Sequence, residues 1–155
     1  MAGPDRHIAT NKKAYHDYFI DETFETGIEL TGTEVKSLRA DKASLRDSFA
    51  TVRRGEVWLH HVHISPYSHG NRANVEPLRP RKLLLHKKEI RYLAGKAAER
   101  GATLVPLKMY FNERNLVKVE LGLARGKKMH DKRATIADRD HKRDVERALR
   151  DRQKR

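Results

Sequence analysis

Val105-Pro106-Leu107-Lys108-Met109-Tyr110-Phe111, then Asn112-Glu113-Arg114-Asn115, then Val117-Lys118-Val119-Glu120-Leu121-Gly122-Leu123, read together as a β-hairpin. Val105, Leu107, Met109 and Phe111 alternate with Lys108 and Tyr110. Val117, Val119, Leu121 and Leu123 alternate with Lys118 and Glu120. A period of two points one row of side chains into a core and the other outward, and the polar stretch between the runs supplies the turn.

The same signal recurs upstream. Tyr18, Ile20, Phe24, Ile28 and Leu30 occupy even positions, and Asp21, Thr23, Glu25 and Glu29 the odd ones. This predicts a long strand with one buried face, with Gly27 as the place for a bulge. Ser48–Val52 and Val57–Ile64 flank Arg53-Arg54-Gly55-Glu56 and predict a second hairpin. Pro66, Pro77 and Pro80 with Gly70, Asn71 and Asn74 make residues 65–80 a loop. Two helices are predicted. One is short and capped by Thr33, with Val35 and Leu38 on one side. The other spans His86–Arg100, with Ile90, Leu93, Ala94 and Ala97 at helical spacing and Gly101 as its stop. About six strands with two or three helices in about 115 residues predict a mainly β (α+β) domain, a small barrel or an α+β sheet. Periodicity alone does not close the sheet.

Composition bounds the rest. The chain has 155 residues, 34 Lys/Arg against 21 Asp/Glu, a formal net charge of +13 and no cysteine. Disulfides, thiolate zinc sites and cysteine nucleophiles are excluded. No apolar run approaches the roughly 18 residues that a membrane span needs, and Met-Ala-Gly-Pro-Asp-Arg-His at the start has no apolar signal region. Residues 126–155 hold 12 Lys/Arg, 6 Asp/Glu and only Met129, Ile136, Val145 and Leu149 as large apolar side chains. So little apolar surface does not offset the ordering entropy of the segment. The expected organisation is a flexible arm at residues 1–10, a folded domain at 11–125 and a basic tail at 126–155. The tail is expected to be disordered when free and helical on a partner. The protein is expected to be cytoplasmic, monomeric and bound to a polyanion, with no membrane association.

Catalytic readings are weak. His60, His61 and His63 are the tightest histidine group, but on a strand His60 opposes the other two, and zinc requires three or four convergent ligands. His16 and Asp17 are adjacent and would point to opposite faces. Glu22 with Glu25, or Glu34 with Asp41, are carboxylate pairs of no distinctive spacing. Arg125-Gly126-Lys127-Lys128 lacks the glycines of a phosphate loop. The chain is therefore expected not to be an enzyme and to hold no metal or cofactor.

Nucleic-acid signals are stronger. Basic groups cluster at Asn11-Lys12-Lys13, Arg79-Pro80-Arg81-Lys82, His86-Lys87-Lys88 and Arg125–Arg133. Taken singly, each reads as a solvated face. Four on one chain of this charge read as a phosphate-tracking surface. Tyr15, Tyr18, Tyr67, Tyr110 and Phe111 offer stacking faces, while Tyr18, Phe24 and Phe111 also suit a core.

Four blocks narrow this reading. Asn11-Lys12-Lys13-Ala14-Tyr15-His16-Asp17-Tyr18-Phe19-Ile20 resembles the opening of the bacterial SsrA-binding proteins, the small protein B family. So do Gly32-Thr33-Glu34-Val35-Lys36-Ser37-Leu38-Arg39, Arg81-Lys82-Leu83-Leu84-Leu85 and Gly126-Lys127-Lys128-Met129-His130-Asp131-Lys132-Arg133. They fall in order with family-like spacing, from about residue 8 to 155. Tyr15 departs from the pattern, which has a basic residue there. The exchange replaces a phosphate contact with a stacking face.

The resemblance implies an oligonucleotide-binding-type closed β-barrel of about six strands. It implies binding to the tRNA-like domain of transfer-messenger RNA and delivery of that RNA to stalled ribosomes for trans-translation, with no reaction of the protein's own. The implied RNA-facing residues are Asn11, Lys12, Lys13, Glu25, Lys82, Leu84 and Lys118. Glu25 and Lys118 also lie on the outward parity of their strands, whereas Leu84 sits in an apolar run that reads as core. The implied ribosome-binding tail comprises Lys127, Lys128, His130, Asp131, Lys132, Arg133 and Ile136. In that reading the tail probes the decoding centre and the empty mRNA channel, with His130 stacking near the decoding nucleotides.

Overall fold

The computed structural model describes residues 5–70, 73–127 and 139–150. Strand β1 (Arg6–Thr10) leads into helix α1 (Lys12–Asp17), strand β2 (Tyr18–Ile28) and helix α2 (Gly32–Arg39). The short strand β3 (Ala43–Ser44), strands β4 (Phe49–Arg53) and β5 (Glu56–His60), and the short strand β6 (His63–Ile64) follow. After the loop come β7 (Arg81–Leu84), α3 (Lys87–Ala97), β8 (Ala102–Phe111) and β9 (Val117–Gly126). Residues 139–150 form a further helix, α4.

The strands pair in the order β8-β4-β5-β7-β2-β9, and β9 returns to β8. Six antiparallel strands thus make a ring, and β1 adds to β8 outside it. Closure pairs every strand of the ring on both sides, and β1 takes the stretch of β8 that β4 leaves unpaired. β3 and β6 form a separate two-stranded pair.

The local turns follow their residues. Between β8 and β9, the Asn112 side-chain oxygen accepts from the backbone N–H of Arg114 (3.0 Å) and of Leu116 (2.9 Å). Between β4 and β5, Arg54 and Gly55 both have positive φ, 52° and 75°. That is the twist a two-residue hairpin turn requires. Helix α2 starts two residues earlier than the sequence suggests: its cap is Thr31, not Thr33. The Thr31 hydroxyl accepts from Glu34 N–H while the Glu34 carboxylate accepts from Thr31 N–H at 2.9 Å, closing a capping box. Gly101, with φ of 80°, follows the last turn after α3.

Two bulges overturn the single-face reading of β2 and β8. The pairing of β2 with β9 slips between Ile20 and Glu22, at Asp21, and that of β8 with β9 slips between Pro106 and Lys108. Gly27 instead stays in register. Each extra residue exchanges the faces on its two sides. Phe24, Ile28, Met109 and Phe111 therefore belong to the main core inside the ring, with Leu38, Val57, Leu59, Leu83, Leu93, Val119 and Leu121. Tyr18, Ile20, Val105 and Leu107 lie on the outer side. There they form a small second core with Ala14 of α1 and Ala124. Gly122 makes room for it, since a Cβ at that position would stand 2.9 Å from Leu107 Cδ1 and 3.4 Å from Ile20 Cγ2.

One further expectation changes. The flexible arm of residues 1–10 gives way at Arg6, because β1 pairs with β8 and buries Ile8 to 7% exposure. Ladder bonds and one buried isoleucine hold a strand that its composition does not announce. Residues 139–150 of the tail are helical with every residue exposed. Arg, Lys, Glu, Ala and Leu favour helix intrinsically. Asp140 with Arg143, Asp144 with Arg147, and Glu146 with Arg150 stand at supporting spacings.

Candidate nucleic-acid interface

The ring brings together residues that are far apart in the chain. On its outer face, His7 of β1 stands opposite Tyr110 of β8, which stands opposite Lys118 of β9. Lys118 stands opposite Gly27 of β2, which stands opposite Leu84 of β7. The neighbouring row runs Thr10, Lys108, Glu120 and Glu25 over the same strands from β1 to β2. Glu25, Lys118 and Leu84, expected from the resemblance to face RNA, therefore share one continuous surface. Leu84 is 47% exposed despite its apolar run, because its neighbour Leu83 takes the inward position at 1%. Gly27 lets it lie flat: a Cβ there would meet Leu84 Cβ at 3.2 Å.

The electrostatics of this face are mixed. Glu25 and Glu120 are direct cross-strand partners, a pairing of like charges that is unfavourable on its own. The Tyr110 hydroxyl donates to Glu25 Oε2 at 2.6 Å. Partial burial, then the Glu25 hydrogen bond and negative charge, raise the Tyr110 phenol well above its usual range. Burial and the nearby Glu120 carboxylate likewise raise Tyr15. Both phenols stay protonated donors at neutral pH.

Basic residues rim the face. Lys12 and Lys13 are exposed on α1, and Lys13 pairs with Asp47 at 3.2 Å. Lys82 lies on the same side of β7 as Leu84, opposite Trp58, and pairs with Glu56 at 3.4 Å. Phe19, which the sequence reading did not single out, is 41% exposed. Arg125 and Lys127 approach its ring at 5.8 and 5.1 Å. Its odd position in a strand of even-numbered apolar residues was the available signal. Lys127 N–H donates to the Asp17 carbonyl at 2.9 Å and fastens the root of the tail beside α1. Lys128, His130, Asp131, Lys132, Arg133 and Ile136 lie outside the described residues.

Two of the expected contributors have other work. Asn11 is 6% exposed. Its Oδ1 accepts from Ala14 N–H at 3.2 Å and its Nδ2 donates to the Pro106 carbonyl at 3.0 Å. The side chain caps α1 and ties it to β8 instead of offering a free amide outward. The Arg79–Lys82 cluster is likewise not a uniform phosphate surface. Arg81 is wholly buried, with Nε on Glu34 Oε2 at 2.6 Å, Nη1 on the Val62 carbonyl at 2.7 Å and Nη2 on the Pro77 carbonyl at 3.0 Å. Arg79 reaches Glu34 Oε1 at 2.5 Å.

The histidines disperse. His60 bonds Thr51 at 2.9 Å and stacks on Phe49, His61 leaves the strand at φ of 64°, and His63 is exposed on β6. Burial first, then His61 and Arg53, lower the His60 pKa. Among the described residues no three His, Asp or Glu side chains are grouped to hold a metal ion. No described helix is long and apolar enough to cross a membrane.

A family model described as SmpB protein matches residues 8–151. The SsrA-binding protein of Moorella thermoacetica is 60% identical over 147 residues, 95% of either chain. That of Bacillus cytotoxicus is 58% identical over 152 residues, 98% of this chain and 97% of the relative. A chain in a solved structure described as "tmRNA-SmpB: a journey to the center of the bacterial ribosome" superposes with a TM-score of 0.66 at 59% identity. It covers 77% of this chain and 84% of its own length. With the ring, the capped helices and the four sequence blocks in place over nearly the whole length, the chain belongs to the SmpB protein family, the SsrA-binding proteins.

Proposed function

We propose that the protein binds the tRNA-like domain of transfer-messenger RNA and carries it to stalled ribosomes for trans-translation, performing no reaction itself. The observation that carries the site is the gathering of Glu25, Lys118 and Leu84 onto one outer surface by β2, β9 and β7. Family membership supplies the partner.

In this reading the six-strand ring is a closed barrel of the oligonucleotide-binding type. Its outer face meets a folded RNA by shape, phosphate and 2′-OH contacts. Lys118, Lys82, Lys12 and Lys13 take phosphates. Glu25 accepts from 2′-hydroxyl or base amino groups. Leu84 gives apolar contact to a sugar or base. Asn11 contributes by holding α1, and with it Lys12 and Lys13, against the barrel. The tail from Lys127 through Lys128, His130, Asp131, Lys132, Arg133 and Ile136 enters the decoding centre. The helix over 139–150 lies in the empty mRNA channel, and the protein works as a cytoplasmic monomer.

A competition titration at physiological salt tests the assignment. The labelled ligand is the tRNA-like fragment of transfer-messenger RNA, and the competitor is an unrelated tRNA of equal length. A strong preference for the fragment, reduced in Glu25→Ala, is expected. Equal competition would leave only a generic basic RNA binder and remove the residue roles.

A further inference from the structure

Glu25 is an exposed carboxylate facing a second carboxylate, Glu120, directly across the β2–β9 ladder. Left alone, a glutamate in that position samples several rotamers and turns away from the like charge. Here one oxygen is held. Tyr110 lies on β8, with β9 between it and β2, and its hydroxyl crosses β9 to donate to Glu25 Oε2 at 2.6 Å. The phenol is itself held. Its backbone pairs with Lys118 on one side and His7 on the other, while Met109 and Phe111 anchor β8 in the core at 0% and 3% exposure.

We infer that Tyr110 is a positioning residue for the RNA-binding carboxylate of Glu25: it fixes one oxygen and leaves Oε1 presented on the outer face as an acceptor. A hydroxyl is suited to this task. A lysine or arginine in its place would neutralise the carboxylate and attract phosphates indiscriminately. A neutral donor orients the negative charge without cancelling it. The face then favours an RNA that presents 2′-OH or amino donors at that point and disfavours one that presents phosphate. This inference rests on the reading of Glu25 as an RNA contact.

A double-mutant cycle on binding separates the two. The probe is the tRNA-like fragment of transfer-messenger RNA, titrated with the full-length protein, Tyr110→Phe, Glu25→Ala and the double variant. Tyr110→Phe keeps the ring and loses only the hydroxyl, and a urea midpoint shows that it remains folded. It is expected to bind about three- to tenfold more weakly, the order set by freeing one rotamer-rich side chain at an interface. The salt slope should be unchanged, since no phosphate contact is lost. In the Glu25→Ala background the same change should cost nothing further. Weak binding by Glu25→Ala with wild-type binding by Tyr110→Phe would overturn the positioning role alone. So would losses that simply add. Wild-type binding by Glu25→Ala would overturn the site itself, and this inference with it.

Discussion

Glu34 and Arg81 form an ion pair at 2.6 Å with both side chains almost wholly out of water, 3% and 1% exposed. The pair joins the start of α2 to β7. Through the Val62 and Pro77 carbonyls it also fastens the flanks of the loop at 65–80. Removing one partner leaves an uncompensated buried charge, so Glu34→Ala is expected to destabilise the fold by about 3–5 kcal/mol. Urea denaturation followed by circular dichroism measures this. A loss within about 0.5 kcal/mol, the range of an ordinary surface substitution, would mean that the pair is not buried in solution.

The same carboxylate predicts a pH dependence. Burial acts to raise its pKa. The Arg79 hydrogen bond, the Thr31 N–H and Arg81 outweigh that, and the net shift is downward. A group with a depressed folded pKa contributes stability above its unfolded value, about 4.3 for glutamate. That contribution is lost as pH falls through the folded value. The urea midpoint of the wild type should therefore drop below about pH 4. In Glu34→Gln the acid limb should be shallower. Parallel profiles would count against this attribution.

Gly27 predicts a separation of binding from stability. A side chain at this position presses on Leu84 Cβ at 3.2 Å and Cδ1 at 3.4 Å. The branched valine of Gly27→Val should displace Leu84 from the outer face while adding β propensity to β2. RNA affinity for the tRNA-like fragment is expected to fall about tenfold, the effect of one lost interface anchor of moderate size. The urea midpoint should move little. Equal affinities would show that Leu84 is not a contact.

Truncation after Gly126 tests the division between ring and tail. β9 ends at Gly126, so its ladder with β2 and β8 remains complete. The Lys127 contacts with Asp17 and Tyr15 are lost. Binding to the tRNA-like fragment is expected within about threefold of the full chain, because Lys118, Lys82, Lys12 and Lys13 all remain to take its phosphates. Tagging on stalled ribosomes in a reconstituted translation assay should be abolished. Normal tagging by the truncated chain would remove the tail from the mechanism.

The features that sequence alone fixes are local. The hairpin of β8 and β9 was legible because alternation and an Asn-rich turn act over neighbouring residues, and Asn112 closes that turn with its own side chain. The β4–β5 turn at Arg54-Gly55, the extent of α3 to within a turn, and the loop at 65–80 were readable for the same reason. The family blocks added the partner and the candidate residues, and the outward parity of Glu25 and Lys118 held.

Other features depended on contacts between distant segments, which no periodicity records. The bulge at Asp21 exists because β2 must change faces to cover two cores, so the even-position rule failed at Tyr18 and Ile20. Arg6–Thr10 became a strand only because β8 offered an edge. Asn11 and Arg81, polar and basic in sequence, were drawn inward because capping and a buried carboxylate satisfied them. Leu84 stayed outside because its neighbour Leu83 filled the interior position. The candidate site itself is a tertiary fact: Glu25, Leu84 and Lys118 share a surface only because the strand order sets β2 between β7 and β9.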